Sequence, residues 1–108
     1  MRLLDLDARF LKRVDDSHYR DVETIAEADG VIFLCPKCYE ANGGCIGTHS
    51  VMCWSPSVPQ STSPTPGRWN LTGSGLHDLT LRAGSSSVAL TGGCRAHFFV
   101  ENGAIRMA

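Results

Sequence analysis

Val31-Ile32-Phe33-Leu34-Cys35-Pro36-Lys37-Cys38 is the stretch on which the fold turns. Four consecutive apolar residues read as a strand buried on both faces. The strand runs straight into a Cys-x-x-Cys pair. A turn at that spacing aims two sulfurs at one point, which is what a tetrahedral metal asks of a single loop. Two ligands do not close such a site. Gly92-Gly93-Cys94-Arg95-Ala96-His97 is a second turn of small residues, with Cys and His at the same spacing. The two turns are expected to meet on one zinc ion, bound by Cys35, Cys38, Cys94 and His97, and to pin two halves of the domain together.

Three thiolates and one imidazole make a closed site of the structural kind, whereas catalytic zinc keeps a position for water. Residues 39 to 93 separate the knuckles, against about 15–20 residues in a zinc ribbon, so that template does not transfer. His49 is the competing ligand, because the glycine-rich loop before it could fold it back. Cys45 and Cys53 are further candidates, but free cysteine commonly serves as a small buried apolar residue. A redox Cys-x-x-Cys pair prefers a helix start within a βαβ pattern. Gly43-Gly44 is expected to break any helix here, and the remaining chain does not alternate strand with helix.

Working outward, Asp21 to Asp29 reads as a short helix. Asp21 would cap it, Val22, Ile25 and Ala26 form its apolar stripe, and Gly30 would stop it. Residues 1–20 fit a short helix or an edge strand. His49 to Trp54 reads as a strand with His49, Val51 and Cys53 on one face. Residues 55–68 hold four prolines among serines and threonines, so they read as an exposed loop. Trp69–Thr72, Leu79–Arg82 and Val88–Leu90 read as short strands, with a turn at Gly84–Ser87. Asn102-Gly103 between two apolar runs marks a hairpin, since both residues tolerate positive φ. The expectation is a mostly β single domain over 1–108, a small sheet or sandwich with one short helix.

The chain's 108 residues, 43% hydrophobic and 19% charged, suit one soluble domain. No apolar run approaches the ~20 residues of a membrane span. Acids at Asp5 and Asp7 stand where a signal peptide would be apolar, so a cytoplasmic protein is expected. Net charge is −1, and only Arg9, Lys12 and Arg13 cluster. Phosphate binding needs a basic stripe, so a nucleic-acid partner is not expected. Five cysteines, an odd number, argue for metal rather than disulfides. His77-Asp78 reads as a surface turn, Trp54 and Trp69 as core. No catalytic signature occurs, so a non-enzymatic module that binds a protein partner is expected. The alternatives are a zinc-dependent hydrolase or nuclease with an open metal position, and a nucleic-acid-binding zinc module.

One resemblance extends this. Ala28-Asp29-Gly30 through Cys38, Gly47-Thr48-His49-Ser50, Cys53-Trp54, Pro66-Gly67-Arg68-Trp69, Leu79-Thr80-Leu81 and Gly92-Gly93-Cys94 through His97 to Asn102-Gly103 resemble a family of small proteins of tailed phages and prophages, defined as a domain of unknown function. The likeness spans about residues 25 to 105. It implies Cys35, Cys38, Cys94 and His97 as the metal set, with His49 as an accompanying histidine and Cys45 outside the pattern. It also implies phage origin, expression in a bacterial cytoplasm, and a host or phage protein as partner.

Overall fold

A computed structural model of the protein describes residues 1–82, 87–90 and 94–108. The expected turn at Gly84–Ser87 and the pair Gly92-Gly93 fall largely or wholly outside the described residues. The chain is mostly β, as the patterning predicts. Strands β1 (Arg9–Asp15), β2 (His18–Val22) and β3 (Gly30–Leu34) precede α1 (Pro36–Asn42), the single α-helix among the described residues. Then come β4 (Ser50–Trp54), β5 (Asn70–Thr72), β6 (Thr80–Arg82), β7 (Ser87–Ala89), β8 (His97–Glu101) and β9 (Ala104–Met107). They form three antiparallel sheets, in the orders β2-β1-β3-β4, β5-β6 and β7-β8-β9.

The run 31–34 is indeed central. β3 lies between β1 and β4, with Phe33 opposite Val51 and Val31 opposite Cys53. Side chains alternate across it. Val31 and Phe33 enter the main core with Leu79, Leu81, Phe98 and Val100. Phe33 meets Phe98 edge to face at 5.9 Å, joining the first sheet to the third. Ile32 points the other way, into a second cluster with Leu11, Trp54 and Val58.

The helix expected over Asp21–Asp29 is not there. Asp21 and Val22 close β2, and only a 3-10 turn at Ile25–Glu27 remains. The three apolar residues of the stripe were too few to outweigh pairing with β1, where Phe10 faces Val22. Asp21 caps no helix and pairs with Arg9 at 3.0 Å. Gly30 is not a left-handed stop. It is the first residue of β3, and a Cβ there would lie 2.6 Å from the Trp54 ring.

The helix forms instead where glycines were expected to prevent one. Pro36 sits in the first turn, its fixed φ already helical. Gly43 (φ 67°) ends the helix rather than breaking it, donating its N–H to the Glu40 carbonyl.

The loop 55–68 is largely exposed, yet it is anchored. Val58 and Thr62 are buried, and the Trp54 indole donates to the Ser63 carbonyl at 2.9 Å. Arg68 donates to the carbonyls of Val58, Pro59, Thr62, Pro64 and Gly67. The loop thereby covers the back of the first sheet. The β8–β9 hairpin has Asn102 (φ 49°) and Gly103 (φ 73°) in its turn, as its sequence predicts.

Candidate metal centre

Strand β3 delivers Cys35 to the end of the sheet, fully buried and at the cap of α1. One helical turn on, Cys38 returns to the same side. The sheet itself supplies the next group. The Cys35 N–H donates to the His49 carbonyl at 2.8 Å, so these residues are neighbours one step beyond the Leu34–Ser50 pair. Residues facing each other in an antiparallel ladder project to the same side. The loop 43–48 makes this possible by closing on itself, with the Thr48 hydroxyl donating to the Gly44 carbonyl at 2.7 Å. Cys94 arrives from between β7 and β8, and Lys37 Nζ holds its carbonyl at 2.7 Å.

Cys35, Cys38, His49 and Cys94 thus converge, with one ligand atom of each lying within 4.8 Å of every other. Such a Cys₃His group could hold a metal ion. Cys35 Sγ lies 3.6 Å from Cys94 Sγ, and His49 Nε2 lies 3.4 Å from Cys94 Sγ. Tetrahedral bonds of about 2.3 Å to sulfur and 2.0–2.1 Å to nitrogen place two sulfurs about 3.8 Å apart, and sulfur about 3.5 Å from nitrogen. The spacing fits. The histidine is oriented for it as well. Its Nδ1 lies 3.3 Å from the Ser50 carbonyl. That oxygen can only accept, so a metal bound at Nε2 would leave the ring proton on Nδ1, where the Ser50 carbonyl can take it.

The electrostatics of the bare group also suit a cation. The His49 imidazole holds the Cys94 thiol down to about 6, against the opposing effect of burial, and the Ala96 amide and the neighbouring thiols add to it. Cys94 in turn pushes the Cys38 thiol up to about 11, with burial and Cys35 contributing. Neighbouring thiolates repel one another, and a bound cation removes that penalty.

His97 is not in the group. Beyond Cys94, Arg95 takes a left-handed backbone (φ 53°) and β8 begins at His97. Ala96, Phe98 and Val100 are buried in the core. Alternation then turns His97 to the opposite face, where its ring lies 5.9 Å from that of Phe99. Cys53 is buried in the main core, where burial pushes its thiol up. Cys45 is exposed on the glycine-rich loop. His77-Asp78 does form a turn, and the Asp78 carboxylate accepts from the Ser74 hydroxyl and the Ser74 and Gly75 amides. Trp54 is core, while Trp69 is half-buried against it.

His49 carries the one signal that sequence reasoning underused. Val31, Phe33 and Cys35 share a face of β3, and His49, Val51 and Cys53 share a face of β4. Pairing these two runs as a hairpin puts His49 beside Cys35. No family model, curated protein or solved structure matches the chain.

Proposed function

We propose that the protein is a zinc-stabilised, non-enzymatic binding module that acts on another protein. The observation that carries the zinc assignment is the Cys₃His group, with thiol and imidazole spacings of 3.6 and 3.4 Å. Three thiolates and one imidazole favour Zn²⁺ among the common divalent ions. Four protein ligands fill a tetrahedron, leaving no place for the water that a hydrolase would activate.

A binding role is favoured over nucleic-acid recognition by the pairing of the basic cluster. Arg9 faces Asp21 at 3.0 Å, Lys12 faces Asp29 at 3.8 Å and Arg13 faces Asp16 at 2.7 Å. Their charge is matched locally and offers phosphates little. The resemblance to phage and prophage proteins makes a host or phage protein in a bacterial cytoplasm the partner to test. No described helix is long and apolar enough to cross a membrane.

The tests are direct. Purified protein should carry one zinc per chain by plasma mass spectrometry, and tagged protein should retain one specific partner from infected-cell lysate. Zinc below a tenth of stoichiometry, with a folded protein, would remove the metal assignment. A lysate that yields nothing above the control would remove the binding role.

A further inference from the structure

A groove of about 640 Å³ lies against the metal centre, lined in part by His49, Met52, Pro66, Trp69, Val88 and Ala89. Its two long walls are strands at the edges of different sheets. β4 ends the order β2-β1-β3-β4, and β7 begins the order β7-β8-β9. Consecutive residues of each strand line it, Val51 with Met52 and Val88 with Ala89. Neighbouring side chains in a strand point to opposite faces, so the groove follows the strand edges rather than one face.

The ladders show which backbone groups look into it. Cys35 N–H bonds to the His49 carbonyl and Trp69 N–H to the Trp54 carbonyl. By alternation His49, Val51 and Cys53 bond toward β3, while Met52, like Trp54, presents its N–H and C=O away from it. On the other wall, Leu90 N–H bonds to the Ala96 carbonyl, and Ala108 N–H to the His97 carbonyl. Ala89, opposite His97, therefore turns its N–H and C=O away from β8. Among the described residues nothing bonds to these groups of Met52 or Ala89. Outward backbone donors and acceptors on both walls, at Met52 and Ala89, are complementary to one kind of occupant, an extended chain.

We propose that this groove takes an extended peptide segment of the protein partner, which adds a strand between β4 and β7 and joins the first and third sheets. This rests on the binding-module reading and names its recognition site. The spacings of stacked strands give each residue about 160 Å³, so the groove accommodates about four residues. Its apolar walls, Pro66, Trp69 and Leu90, select apolar side chains at alternate positions. The metal holds the walls in place, because His49 immediately precedes β4 and Cys94 lies in the connection that follows β7.

The test uses the zinc-loaded full chain and displayed random linear heptapeptides, with selected sequences remade as free peptides. Binding should shift the amide resonances of Met52 and Ala89 and slow their hydrogen exchange at least tenfold. N-methylation at alternate peptide positions should weaken binding about fivefold to tenfold per lost hydrogen bond, and methylation one residue along should not. Ala89→Pro removes an outward donor at an edge position that tolerates proline. It should weaken the peptide to a similar degree while keeping full zinc. A footprint elsewhere, insensitivity to N-methylation, failure to select any peptide, or a dimer closed through the groove would each overturn the proposal. A lysate partner held through another surface would overturn it too, while leaving the binding-module reading intact.

Discussion

At the scale of single residues, the histidine of the Cys₃His cluster shows how strand geometry chooses between two histidines. His97 has the better spacing from Cys94, but the next residue, Phe98, is needed in the core. His49 has no motif spacing, but it is the cross-strand neighbour of Cys35. His49→Ala should lower zinc affinity more than about a hundredfold in competition with a chromogenic chelator, while His97→Ala should leave it within about twofold. The reverse ranking would return the site to the Cys94-x-x-His97 knuckle.

Asp16 offers a second residue-level test. The Arg13 guanidinium, then the Thr62 and Ser61 hydroxyls, hold its carboxyl down to about 2, from an ordinary value of 3.8. A carboxyl lowered in the folded state contributes stability above its unfolded pKa and loses it as the pH falls toward the folded one. Its contribution is therefore complete and constant from about pH 5 to pH 8. Asp16→Asn should lower the urea midpoint by the same amount throughout that range. A penalty that changes across it would contradict this assignment.

At the scale of elements, the proline-rich loop is the clearest case of structure built from side chain to backbone. Proline density removes regular pairing from residues 55–68. Arg68 restores order by supplying five donor contacts to the loop's carbonyls, the shortest 2.6 Å to Pro59. Val58 then seals the Ile32 face of the sheet. Arg68→Ala should cost about 2–4 kcal/mol in urea unfolding and open the loop to proteolysis. Arg68→Lys should recover little, since an ammonium lacks the planar fork that reaches several carbonyls at once. A loop as protease-resistant in Arg68→Ala as in the parent would show that Val58 and Trp54 suffice to hold it.

At the scale of the whole molecule, the sheets are small and two of the three have strands of three residues. A chain of about 100 residues hides only about two-thirds of its unfolded surface, so its margin is thin. The Cys₃His cluster joins the β3–α1 corner, the start of β4 and the β7–β8 connection. Binding energies of roughly 10–16 kcal/mol for structural zinc match or exceed the ~5–15 kcal/mol net stability of an ordinary domain. Chelation should therefore abolish the cooperative melt or lower its midpoint by more than about 20 °C, reversibly on adding zinc. Cys94→Ser should do the same without chelator, and Cys45→Ser should not. A melt unchanged by chelation would mean that the Phe33–Phe98 core alone holds the sheets together.

The amino-acid sequence by itself determined the β class, the buried central strand, the Asn102-Gly103 turn and three of the four side chains of the Cys₃His cluster. These rest on local signals: apolar runs, residues that tolerate positive φ, and, for Cys35 and Cys38, thiols too close in sequence to point apart; Cys94 is marked by its spacing to His97, although that histidine is not in the group. The tertiary structure alone decided the rest. It replaced the helix expected at 21–29 with the end of β2 and a 3-10 turn, and placed a helix at 36–42, because pairing with β1 outweighed a short apolar stripe while Pro36 and Gly43 framed the helix. It brought His49 rather than His97 to the thiols, because ligand choice depends on strand register, a relation between residues distant in sequence that composition and spacing do not encode.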